Sequence, residues 1–83
     1  YSQTIWRLTM QIHLSRRLLA AWRTLPPEVR RFVALLERNP RPTDALTFPE
    51  RPNYYLEFVG GYWVGWQVDE STGETVVRVT LAE

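Results

Sequence analysis

The tightest constraint in this chain is Gly60-Gly61, set between two runs that alternate in polarity. Glycine adopts positive φ without steric cost, so such a pair between alternating runs makes a two-residue hairpin turn. Tyr54 to Val59 and Tyr62 to Asp69 are thereby antiparallel neighbours, and the turn fixes which side chains share a face. Tyr54, Leu56 and Phe58 fall on one side, and Tyr55, Glu57 and Val59 on the other. On the second strand Tyr62, Val64, Trp66 and Val68 form the apolar set expected to face a core. Trp63, Gly65, Gln67 and Asp69 form the opposite set. A second turn, Glu70-Ser71-Thr72-Gly73, leads into a further strand over Thr75 to Leu81. Three strands joined in this way are an antiparallel meander.

The first half of the chain has a different period. Thr4 to Ile12 alternates, with Trp6, Leu8, Met10 and Ile12 pointing one way, and reads as a strand. Ser15 is placed to cap a helix carrying Leu18, Leu19, Trp22 and Leu25 at helical spacing. Leu25-Pro26-Pro27 breaks it. Proline fits the first turn of the next helix, where its missing N–H would be unpaired anyway, and Glu28 complements that helix's positive end. Val29, Phe32, Val33, Leu35 and Leu36 form the second apolar stripe, which ends before Asn39-Pro40-Arg41-Pro42. Pro40 to Asn53 holds four of the six prolines and reads as an ordered but irregular loop. The predicted order is strand, helix, helix, strand, strand, strand. This is an α+β fold, an antiparallel sheet with a helical hairpin packed on one face, forming a single domain over residues 1–83.

Composition removes several kinds of chemistry. The chain has 83 residues, no Cys and one His, so thiolate zinc sites, disulfides and multi-histidine metal sites have no ligands to draw on. No metal and no cofactor are expected. No apolar run approaches the ~20 residues of a membrane helix. Tyr1 stands where an initiator Met would, so the chain is read as trimmed or cut from something longer. No phosphate-binding loop is present, since Gly60-Gly61 lies between strands rather than between a strand and a helix. His13 has no neighbouring carboxylate in sequence to set its pKa. What remains is arginine and aromatic chemistry. All ten basic residues are Arg, and they are segregated. Residues 1–41 carry eight Arg against two Glu, a net of +6, and residues 42–83 carry two Arg against seven acids, a net of −5. Trp63 is a large aromatic on the sheet face away from the helices, a common anchor for partners.

Three segments together resemble the RelE/ParE superfamily of bacterial type II toxin–antitoxin toxins. They are Leu19 to Pro42, with its Leu-Pro-Pro break and Asn-Pro-Arg-Pro ending; Tyr54-Tyr-Leu-Glu-Phe-Val-Gly-Gly-Tyr62; and Trp66-Gln-Val-Asp69. The resemblance spans about residues 4–81. It implies a small antiparallel sheet backed by a helical hairpin, a cytoplasmic toxin or toxin-like homologue, and a cognate antitoxin that wraps it. RelE-like members are ribosome-dependent mRNA endonucleases, which hold the phosphate with basic residues on the concave sheet face. ParE-like members poison DNA gyrase. The ribosome with its mRNA, or gyrase, is thus the implied target, and a homodimer is left open.

Position by position, the nuclease pattern is thin. Tyr54 and Leu56 stand where RelE-like toxins carry basic residues, Trp63 stands for the arginine after the second tyrosine, and Arg78-Val-Thr-Leu-Ala-Glu83 lacks the basic tail. Arg51 and Arg78 are the remaining catalytic candidates in the second half. Tyr54, Phe58, Trp63 and Arg7 are the candidate binding surface, and Arg16, Arg17, Arg23, Arg30 and Arg31 form a basic surface on the helical hairpin. The leading expectation is a toxin-like protein acting by macromolecular binding. The alternatives are an active endonuclease built from Arg7, Arg51, Arg78 and His13, and an interaction domain of this fold with no toxin role. The acidic sheet half argues against ordinary RelE-type cleavage, which needs concentrated positive charge around the phosphate.

Overall fold

A computed structural model describes residues 10–71 and 73–82. Strand β1 (Met10–Leu14) leads to helix α1 (Arg16–Ala21), a 3-10 turn (Trp22–Thr24) and helix α2 (Pro27–Leu35). Strands β2 (Leu46–Phe48), β3 (Arg51–Val59), β4 (Tyr62–Asp69) and β5 (Thr75–Ala82) follow. They form one sheet in the order β1-β5-β4-β3-β2. The earlier part of the predicted first strand, with Arg7, lies outside the described residues.

The expected local signals act where they were read. Ser15 accepts a hydrogen bond from the Leu18 amide at 3.1 Å and caps α1. Pro27 opens α2, with Glu28 in its first turn. Gly60 and Gly61 both take positive φ, 58° and 89°, and pair Val59 with Tyr62 across the turn.

Two features differ from the expected fold. The sheet is mixed rather than antiparallel, because β1 runs parallel to β5, with His13 opposite Arg78. Period-two alternation marks a strand but not its direction, and the intervening helices give the chain the length a parallel return needs. The proline-rich loop also contains a strand. Pro49-Glu50 closes a tight turn between β2 and β3, placing Phe48 opposite Arg51. The sheet therefore has five strands where the reading gave four.

Both helices cover one face. Leu18, Leu25, Val29, Val33 and Leu36 meet Val64, Trp66, Val68, Val77 and Val79 in one buried cluster. Trp66 is its largest member, fully buried, edge-on to Phe32 at 5.3 Å and stacked on Tyr55 at 5.6 Å. Its indole N–H donates to the Pro40 carbonyl at 2.8 Å, so the loop after α2 caps the core. Leu19 and Leu35, read as core residues, are exposed. Each is adjacent to a buried or half-buried neighbour, and successive helical residues point about 100° apart. Tyr62, the first residue after the Gly60-Gly61 turn, is likewise exposed.

Candidate functional site

Among the described residues no helix covers the other face of the sheet, and its rows follow from register. One row is Phe58, Trp63 and Ala82; the next is Leu56, Gly65 and Thr80; the third is Tyr54, Gln67, Arg78 and His13. At about 3.4 Å per residue, the first and third rows stand roughly 14 Å apart.

The third row opens into a shallow cleft of about 420 Å³. His13, Ser15, Arg51, Tyr54, Gln67, Arg78 and Thr80 supply its polar lining, which holds no carboxylate among the described residues. The two catalytic candidates read from the sequence, Arg51 and Arg78, therefore share one site with His13. The parallel register of β1 on β5 brings His13 there, which no local sequence signal announces. Its Nε2 lies 3.0 Å from the Gln11 side-chain oxygen.

Arg51 reaches the cleft through an irregularity. Arg51 and Tyr54 are three positions apart and would sit on opposite faces of a regular strand. The β2–β3 register slips between Thr47 and Phe48, and Asn53 takes a φ of 68°. The bulge turns Arg51 back so that its guanidinium lies 3.9 Å from the centre of the Tyr54 ring. Arg41 helps to hold the bulge: its Nη2 donates to the Asn53 side-chain oxygen at 3.4 Å and to Glu70 at 3.1 Å. Among the described residues, Arg51 has no carboxylate partner.

Arg78 pairs with Asp69 at 3.3 Å, and Ser71 donates to the same carboxylate from its amide and hydroxyl. The Ser71 donors, followed by Arg78, hold the Asp69 carboxyl below its usual range. The Arg41 hydrogen bond does the same to Glu70 and raises the Arg41 guanidinium in turn. The net −5 of the sheet half is thus misleading as a guide to the cleft. Glu70 is paired with Arg41, Glu57 points to the helix side, and Asp69 offsets Arg78, which leaves Arg51 as the lining arginine without a carboxylate partner among the described residues.

Phe58 and Trp63 form a tilted pair 5.0 Å apart at the hairpin end of this face, and both are exposed. Trp63 therefore stands away from the helices as its alternation predicted. The hairpin arginines divide. Arg16, Arg17, Arg23 and Arg31 are exposed on the helical side. Arg30 is half-buried and donates to the carbonyls of Leu25 at 2.5 Å and Trp22 at 3.3 Å. Leu25 directly precedes two prolines that have no N–H to offer, so Arg30 closes the interhelical break. Arg7 lies outside the described residues.

Glu57 is the one buried side-chain polar atom without a partner among the described residues, through its Oε1. Desolvation, and then the nearby Asp44 charge, push its carboxyl above the usual glutamate range. A folded-state value raised above the unfolded one stabilises the fold at low pH and loses that contribution as pH rises through it. Glu57→Gln should therefore flatten the decline in stability from mildly acid to neutral pH. It should also raise the neutral-pH Tm, because the amide removes an ionised form that desolvation disfavours. Thermal melts from pH 4 to 8 check this, and an unchanged slope would refute it.

No group of three or more metal-ligating acids or His is present among the described residues. No helix among them is long and apolar enough to cross a membrane. Compared with protein-family models, characterised proteins and solved structures, the chain matches none.

Proposed function

We propose that this chain is a toxin-like protein of the RelE/ParE type that acts by binding a macromolecule through the open face of its sheet, and that a cognate antitoxin neutralises it in the cytoplasm. The observation that carries the reading is the composition of that face. It pairs an exposed aromatic couple, Phe58 and Trp63, with a cleft lined by Arg51, Tyr54 and Arg78. Aromatic and arginine side chains are the residue types that concentrate binding energy in interfaces. The helical hairpin packed on the opposite face supports the reading, while the parallel β1 and the added β2 depart from the antiparallel sheet that the resemblance implies. Co-expression with the product of the adjacent reading frame tests it. The expected result is growth arrest by the chain alone, relief by the neighbour and co-purification of the two. Harmless expression with no co-purifying neighbour would favour an interaction domain without a toxin role.

One observation favours the nuclease as a second reading: His13, Arg51 and Arg78 line the same cleft. In such a reaction the ribose 2′-oxygen bonds to phosphorus as the bond to the 5′-oxygen breaks. Proton transfer falls to His13, and stabilisation of the phosphorane charge falls to the arginines. Programmed ribosomes carrying a labelled transcript should then yield cleaved mRNA, with Arg51→Ala or Arg78→Ala slowing the reaction roughly 10²-fold or more. An intact transcript at saturating protein removes this reading and leaves the first untouched.

A further inference from the structure

We propose that Gly65 is the positioning residue of the open-face cleft: by presenting no Cβ it lets Tyr54 lie down across β4, and Tyr54 in turn holds Arg51 ready for an oxyanion such as a phosphate group. The inference rests on reading that cleft as the binding site. Gly65 occupies the middle of a central strand, paired with Leu56 on one side and Thr80 on the other. Glycine weakens a strand interior, and its presence there marks either an unusual backbone or a close approach. Positive φ among the glycines occurs at Gly60, Gly61 and Gly73, not at Gly65. Close approach accounts for it. A Cβ built on Gly65 would collide with the Tyr54 hydroxyl oxygen, stand 3.2 Å from Cζ of that ring and meet Leu56 Cδ1 at 3.5 Å.

Tyr54 is thus laid over the sheet rather than standing off it. Its ring contacts Phe48 at 5.8 Å and carries the Arg51 guanidinium at 3.9 Å. Arg51 is exposed and would otherwise sample many rotamers, which a ligand would have to freeze. Stacking on a seated ring restrains it in the free protein. A planar guanidinium with open N–H donors and no carboxylate partner among the described residues is suited to a phosphate oxygen pair. Two backbone departures thus converge on one cation: positive φ at Asn53 turns Arg51 onto the face, and the missing side chain at Gly65 seats the ring beneath it.

The test is an NMR comparison of labelled wild type, Gly65→Ala, Tyr54→Ala and the double variant Gly65→Ala/Tyr54→Phe, each free and titrated with inorganic phosphate. In the free wild type, the Arg51 side-chain protons should be shifted upfield by the Tyr54 ring. Gly65→Ala should abolish that shift and weaken phosphate binding roughly three- to tenfold, the cost of ordering one long side chain. Tyr54→Ala needs no new space in the sheet and should release Arg51 equally. The double variant removes the colliding oxygen, so it should regain most of the Arg51 shift and affinity; a merely weakened strand would not be rescued. Unchanged Arg51 resonances in Gly65→Ala, or a double variant no better than the single one, would overturn the positioning role. Absence of phosphate-induced shifts around Arg51 in the wild type would overturn the oxyanion assignment. The free-protein shifts do not depend on toxicity, so this inference and the toxin reading fail separately.

Discussion

Trp66→Ala should remove a large share of the protein's stability. The indole is fully buried and contacts Tyr55 and Phe32 through its ring. Its N–H holds the Pro40 carbonyl at 2.8 Å, so the substitution opens a cavity and frees the loop that caps it. Truncating a buried aromatic costs about 3–5 kcal/mol, against a total of about 5–15 kcal/mol for a typical domain. A fall of at least about 12 °C in Tm is expected. Trp66→Phe keeps part of the ring but not the donor, and should fall between the two. Denaturant titrations of the three proteins decide it, and a Trp66→Ala midpoint within error of wild type would contradict the core described here.

Trp63→Ala should do the opposite: spare the fold and remove the partner. Trp63 sits three residues before Trp66 on the same strand, yet on the face away from the helices, 39% exposed against 0%. Its main neighbour is Phe58, itself exposed, so truncation leaves little void. As an interface anchor it is expected to contribute about 2–4 kcal/mol of binding, roughly a 30- to 1,000-fold loss in affinity for a co-purifying partner. Titration calorimetry of the partner against wild type and variant measures this, with matched melting curves as the control. Undiminished affinity would move the interface to the helical side, where Arg16, Arg23 and Arg31 are exposed.

That contrast between two tryptophans was readable from alternation alone, because a two-residue Gly-Gly turn leaves no freedom of register. The Ser15 cap and the Pro27 start were equally legible, since each acts through the backbone within a few residues. Legibility ended where pairing partners are far apart in the chain. The sequence around Leu46 to Phe48 offers only three strand residues amid prolines, and they become a strand by pairing with Leu56, Tyr55 and Arg51. The direction of β1 is likewise set by β5. The candidate site shows the same boundary. Arg51, Arg78 and Tyr54 could be picked out by type, but their meeting place depends on a bulge at Asn53 and on a parallel register. The charge count is a coarse guide for a related reason: it sums along the chain, whereas Arg41 crosses from the basic half to pair with Glu70 in the acidic one.

The parallel pairing of β1 with β5 also governs when the molecule can be finished. Strands β2 to β5 are joined by short turns and can zip together in order as they are synthesised. Met10 instead pairs with Thr75, and Leu14 with Val79, each across 65 positions of chain. The strand made first therefore waits for the strand made after all the others, with Ile12 and Leu14 lacking their place against the core in the interval. Such distant contacts slow folding, and a waiting strand is open to the wrong neighbour. On a translating ribosome, closure of this sheet edge is a late event, timed by the emergence of β5 rather than by anything in β1 itself.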